Sequence, residues 1–225
     1  MSSFRIGLLF HGIGAPRREL EPGEVPYWLQ TSIFETILDR VAAAPEPQAF
    51  CISFDDGNAS DHDIALPRLV ERGLSADFFV PSGRTGQPGS LSAEKILALQ
   101  AAGMRIGSHG IGHHNLSKLS LSDLNEELWG SRRALEEICG CPVTELGLPF
   151  GAYNRQVLTA ARTAGYQAVY SSNRGWMRND RFLRPRISLH EKMGAKELDD
   201  IFAGRLRPRT WLRRTASAIR WRFFK

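Results

Sequence analysis

The sequence predicts an α/β protein folded as an irregular seven-stranded (β/α) barrel. Three observations carry this: seven short apolar runs recur along the chain, segments with helical spacing lie between them, and 225 residues suffice for one sizeable core. Strands that alternate with helices pair in parallel through right-handed crossovers, and a barrel follows. The runs cover residues 5–10, 49–54, 76–80, 104–107, 143–148, 167–170 and 182–189.

Taken in order, the first run ends at His11 and the sharp turn Gly12-Ile13-Gly14. Ile33, Phe34, Ile37, Leu38 and Val41 follow with helical spacing after Thr31-Ser32, and a Pro/Ala stretch over residues 42–47 reads as a loop. The second run stops at Asp55-Asp56-Gly57, and Ala65 to Val70 starts or continues a helix behind that turn. Phe78-Phe79-Val80 reads as a buried strand, and the fourth run delivers Ser108-His109. Leu121, Leu124, Leu128, Leu135 and Ile138 form a helical core face after Ser120 or Ser122, with acids early and arginines late as the helix dipole prefers. Gly73, Gly103 and Gly165 each follow a helical pattern as its C-terminal stop.

Chemistry gathers at two of these strand ends. Asp55-Asp56-Gly57 and Ser108-His109-Gly110-Ile111-Gly112-His113 together supply one free carboxylate and an Asp/His/His metal site. A divalent ion with three protein ligands and an open position lowers the pKa of water and polarises a carbonyl oxygen. A carboxylate beside the ion but not bound to it takes the proton as the water attacks. Asp56 is assigned as a ligand with His109 and His113, and Asp55 as the base. Alone, Asp-Asp-Gly is an ordinary turn and the histidines an ordinary surface pair; their order, each after a strand, points to a metal site. The donor set suits Zn²⁺, with Co²⁺ or Ni²⁺ also accommodated.

These segments resemble the motifs of the NodB-homology polysaccharide deacetylases, carbohydrate esterase family four. Ser53 to Gly57 matches the first motif, and Ser108, His109, His113 and Leu116 match the second. The resemblance implies a base at Asp55, a metal on Asp56, His109 and His113, and removal of an acetyl group from an N-acetylated sugar. It covers about residues 4 to 203 and implies the same barrel, so residues 1–204 are expected to form one NodB-like domain.

The third motif departs from the family pattern. Pro149-Phe150-Gly151 is present, and the resemblance gives the Phe150 N–H a part in binding the oxyanion, but the arginine usually preceding this segment is absent. In relatives that arginine holds the base carboxylate. Arg186, a charged residue inside an otherwise apolar run, is the expected substitute because such a residue needs a partner; the alternative is a surface arginine. The general acid has two candidates. His190 occupies the late position usual in the family, whereas Leu8-Leu9-Phe10-His11 places a histidine on the first strand, beside the last strand of a closed barrel. His11 is preferred. Trp176, Tyr153 and Arg174 are candidate sugar contacts from their loop positions.

Charge divides the chain. Residues 205–225 carry eight basic residues and no acidic one, leaving 21 basic against 24 acidic residues, net −3, over residues 1–204. On a helical wheel Trp211, Leu212, Ala216, Ala218, Ile219 and Phe223 gather opposite Arg213, Arg214 and Arg220, the pattern of a basic amphipathic helix that lies on an anionic membrane surface. No nucleic-acid recognition module is visible, so that partner is not expected. The apolar run before His11 is too short for a secretion signal, and Cys139 and Cys141 stand too close for an ordinary bridge. The expectation is a cytoplasmic protein, peripheral on the inner face of the membrane. Its substrate would then be a lipid-linked or other intracellular N-acetylated glycan intermediate. Two further readings stay open: a saccharide-binding pseudoenzyme, prompted by the missing arginine, and a deformylase of a lipid-linked amino sugar.

Overall fold

The apolar runs become short strands with both faces buried, the pattern of a parallel sheet covered by helices. A computed structural model describes residues 4–205. Its main strands are β1 (Arg5–Phe10), β2 (Phe50–Phe54), β3 (Ala76–Val80), β4 (Arg105–Ser108), β5 (Glu145–Gly147), β6 (Ala168–Ser171), β7 (Leu183–Pro185) and β8 (Ile187–Ser188). All pair in parallel, in the order β7-β6-β5-β4-β3-β2-β1-β8, with Trp176–Met177 added antiparallel to the start of β1.

The count is eight where seven were expected. The run 182–189 serves as the seam of the barrel and divides at Arg186: Pro185 lies opposite Ser171 in β6, whereas Ile187 lies opposite Leu8 in β1. The Arg186 N–H still donates to the Ser171 carbonyl at 2.9 Å, and the Leu189 N–H donates to Leu9 at 2.9 Å on the other side. One segment thus joins both ends of the sheet.

Alternation sorts the side chains into two layers. Outward, Phe10, Phe54 and Phe78 stack side by side, with centroids 5.2 and 4.6 Å apart, against Phe34 of helix α1 (Thr31–Ala42). Inward, Phe79 and Tyr170 fill the barrel with the Arg186 side chain, whose guanidinium lies 4.9 Å from the Phe79 ring centre. Such a narrow interior needs glycine where large groups cross it. A Cβ on Gly147 would fall 2.7 Å from Phe79 and 3.0 Å from His109, and one on Gly7 would press on Arg186.

The helical expectations are met with small shifts. Helix α1 begins at Thr31 with Gln30 as its N-cap and no side-chain cap, so Thr31-Ser32 lie inside its first turn. A π-helical turn, Asp61–Ala65, runs into α2 (Leu66–Glu71), and α3 (Ala93–Ala101) is capped by Ser92. In α4 (Leu121–Cys139) Ser120, not Ser122, is the N-cap, accepting from the Asp123 N–H at 3.2 Å. Helices α5 (Arg155–Thr163) and α6 (Ala195–Phe202) complete the outer layer. Gly73, Gly103 and Gly165 all take positive φ at their stops. Around the expected turn at residues 12–14, Gly12–Ile13 also pairs with Trp28–Leu29, so residues 14–27 form a strap with joined ends. The predicted amphipathic helix, from residue 206 onward, lies outside the described residues. Among those described, no helix is long and apolar enough to cross a membrane.

Candidate active site

The C-terminal ends of the parallel strands all open on one mouth, where barrels place their chemistry. There β1 delivers His11, β2 delivers Asp55 and Asp56, and β4 delivers His109; the loops after β4 and β5 add His113 and Phe150. All of them line a cleft of about 230 Å³, together with Glu21 and Tyr27 of the strap, Ser172 and Ser188. Among the described residues, Asp56, His113 and Phe150 are the non-glycine residues with positive φ, at 75°, 57° and 58°. Left-handed backbone costs energy in such residues, and here it falls on three side chains of one cleft.

Asp55 and Asp56 diverge in their partners. The Asp55 N–H donates to Phe10 at 3.0 Å, which fixes the turn, and its carboxylate accepts a two-pronged pair from Arg186 at 2.7 and 2.8 Å. Arg186 is 1 % exposed, so the pair is fully buried; its Nη1 also reaches the Ser53 hydroxyl at 3.2 Å. The guanidinium therefore stands where the missing motif-three arginine was sought. Asp56, 3 % exposed, faces the histidines, with Oδ1 3.2 Å from His113 Nε2 and 3.5 Å from His109 Nε2.

Both imidazoles have their other nitrogen occupied. His109 Nδ1 lies 2.9 Å from the Gly147 carbonyl, and His113 Nδ1 lies 3.0 Å from Glu21. Each Nδ1 thus carries the proton and each Nε2 turns its lone pair toward Asp56. One ligand atom from each of Asp56, His109 and His113 lies within 4.8 Å of the others. Asp56 Oδ1 is buried without a hydrogen-bond donor. Burial alone raises the Asp56 carboxyl, yet contact with His109 and His113 holds it well below the usual range. Burial likewise lowers His113, and Asp56 with Glu21 outweighs it, so the imidazole rises above its usual value. A buried carboxylate oxygen with no donor of its own, faced by two imidazole nitrogens, has the charge demand of a cation site, and the donor set fits a first-row divalent metal.

The two histidines considered for proton donation part company. His11 lines the cleft, with Nδ1 buried and unpartnered and its ring 5.0 Å from Tyr27; burial lowers its pKa, only partly offset by Asp56 and Asp55. His190 sits behind Tyr27, at 6.1 Å, and does not line the cleft. Phe150 packs its ring 4.7 Å from His113 and is 60 % exposed. In its turn the Gly151 and Ala152 N–H groups bond back to Leu148 and Pro149, and the Phe150 N–H joins no such bond.

The aromatic and arginine guesses for sugar contact lie elsewhere. Tyr153 accepts from Asn173 at 2.9 Å, Arg174 pairs with Glu197, and Trp176 pairs with Ile6 at the far end of β1. Two supporting carboxylates escape the sequence reading. Glu127 of α4 accepts from the Ile111 N–H at 2.6 Å, the Gly112 N–H at 3.2 Å and His114 at 2.9 Å, shaping the loop that carries His113. It interrupts the apolar face between Leu124 and Leu128, which is a readable signal. Glu21, in a polar segment, gives none.

A family profile described as polysaccharide deacetylase matches residues 42–169. YxkH of Bacillus subtilis, named for the same family, is 26 % identical over 181 residues, covering 75 % of this chain and 64 % of its own length. A chitooligosaccharide deacetylase of Sinorhizobium fredii is 29 % identical over 131 residues, 56 % of this chain and 59 % of that protein. The chain thus spans somewhat under two thirds of these curated relatives. Among solved structures, Streptococcus pyogenes deacetylase PplD in complex with acetate superposes with a TM-score of 0.75 at 20 % identity, covering 88 % of this chain and 98 % of that one. At that identity the likeness speaks for the fold.

Proposed function

From the premise that this chain belongs to the polysaccharide deacetylase family, we propose that it is a metal-dependent N-deacetylase that removes the acetyl group from an N-acetylated sugar. The observation that carries this is the pairing of two sites: three ligand atoms within 4.8 Å of one another, and beside them a carboxylate that binds arginine instead. Asp56, His109 and His113 would hold the ion. When bound, a divalent cation supplies Lewis acidity toward water and the acetamide carbonyl.

The rest of the chemistry falls to the chain. Asp55 takes a proton from the attacking water, and Arg186 holds that carboxylate in place through two hydrogen bonds. The Phe150 N–H donates to the oxygen on which negative charge develops, an interaction worth about 3 kcal/mol where such donors have been removed. His11 gives a proton to the nitrogen as the C–N bond breaks, and acetate and a free amino sugar leave.

Zinc titration and acetate release from an N-acetylhexosamine oligomer test this reading. We expect one equivalent of metal, lost in Asp56→Ala, His109→Ala and His113→Ala, and acetate released only by the loaded protein. Sugar binding without acetate would leave a binding protein instead. The pseudoenzyme reading was prompted by a missing arginine, and Arg186 takes away that motive. A lipid-linked substrate at the cytoplasmic face remains part of the proposal, supported by the charge of residues 205–225. Deleting them should abolish flotation with anionic vesicles, and unchanged flotation would exclude it.

A further inference from the structure

An imidazole offers a metal its Nε2 lone pair only while Nδ1 holds the proton, and whatever accepts from Nδ1 sets that state. His109 uses the barrel itself, through the Gly147 carbonyl. His113 stands on a loop and relies on a side chain: Glu21 Oε2 and Oε1 lie 3.0 and 3.3 Å from its Nδ1. Glu21 precedes His113 by 92 residues and arrives on the strap of residues 14–27.

The strap is fastened at several points. The Gly14 N–H donates to Leu29 at 2.8 Å, and the Gly12 backbone lies so close to the Trp28 ring that a Cβ there would fall 2.0 Å from it. At another point, the Arg17 carbonyl would meet a Cβ on Gly89 at 2.5 Å. Glu24 accepts from the Trp28 indole at 3.1 Å and from the Glu21 N–H at 2.9 Å, and it pairs with Arg18. Arg18 in turn donates to Asn58 at 2.9 Å, two residues beyond Asp56. Glu21 also pairs with Arg84, which fixes its carboxylate beside His113. One strap therefore touches the loops that carry two of the three ligands, and it forms a wall of the cleft.

We propose that this strap is a positioning element for the cation site, with Glu21 the residue that fixes the tautomer and angle of His113. The inference rests on the metal-dependent reading given above. Its weight falls on affinity for the ion, because Glu21 acts through His113 and not on the substrate. Removing a carboxylate that supports a ligating histidine typically weakens metal binding about 10- to 100-fold.

The test is the zinc dissociation constant of the full chain, measured against a competing chelator, for the wild type, Glu21→Ala, Glu21→Gln and Glu21→Met. Glu21→Ala is expected to bind zinc about 10- to 100-fold more weakly. Glu21→Gln, whose amide oxygen still accepts from Nδ1, should recover most of that loss. Glu21→Met keeps the length without the acceptor, so it reads the same quantity should the alanine variant fail to fold. In the cobalt-loaded proteins the visible absorption of the ion should shift in Ala and Met but not in Gln. Wild-type affinity in Ala and Met would overturn the inference while leaving the deacetylase reading intact. No metal bound by the wild type would sink both.

Discussion

The barrel holds a two-pronged arginine–aspartate pair at each end, and the two ends differ in what surrounds it. At the N-terminal end Arg105 grips Asp77 at 2.8 and 2.9 Å, reaches Glu145 at 3.3 Å and is itself half exposed. At the C-terminal end Arg186 grips Asp55 at 2.7 and 2.8 Å in a fully buried setting. The lower pair acts as a plug, with solvent and Arg184 nearby to share its charge. The upper pair serves one acid only and leaves its neighbour, Asp56, facing two lone pairs with no cation of the chain's own. Carboxylates at both ends are buried, and among the described residues it is at the mouth that Asp56, His109 and His113 gather ligand atoms for an external charge.

Breaking each pair should expose the difference. Arg186→Met strands a buried carboxylate, and loss of one partner from such a pair costs about 3–5 kcal/mol. Arg105→Met leaves Asp77 within reach of water, and burial already pushes Glu145 above its usual range, so that acid protonates readily. We expect the lower loss to stay at about 1–3 kcal/mol. Urea unfolding of both variants decides it, and a larger loss at the lower end would undo the contrast.

A smaller effect concerns Asp61, just behind the mouth. It is 1 % exposed, both of its carboxylate oxygens lack a hydrogen-bond partner, and burial, reinforced by Asp56, raises its pKa well above 3.8. The folded protein then holds a proton that the unfolded chain releases. This contribution to stability is complete below the ordinary carboxylate range and is lost as pH rises through the folded value. Asp61→Asn removes the titration, so its unfolding free energy should fall less than the wild type's between pH 5 and pH 8. Equal slopes would show that Asp61 stays ionised when folded.

Much of this was legible in the chain, for definable reasons. Asp55, Asp56 and His109 follow apolar runs directly, and strand ends are easy to find by periodicity. Arg186 was legible because a charge in an apolar run demands a partner, although the run's division into two strands was not: composition cannot show where a segment changes neighbours. His11 is preferred over His190 because a closed barrel sets its first strand beside its last, and in the fold His11 lines the cleft whereas His190 does not. The strap stayed hidden because Glu21 acts across 92 residues of sequence from a stretch with the composition of an ordinary loop. Long-range polar contacts of that kind leave no periodic trace.

The central claim is that Asp55 is the free base beside a cation held by Asp56, His109 and His113. Asp55→Asn keeps the shape of the side chain and removes its basicity together with its charge toward Arg186. Acetate release from an N-acetylhexosamine oligomer, by zinc-loaded wild type and by an Asp55→Asn protein with the same zinc content, tests the claim most directly. We predict a fall in kcat of about 10²- to 10⁴-fold, the range for loss of a general base. A variant that binds zinc and releases acetate at the wild-type rate would contradict it.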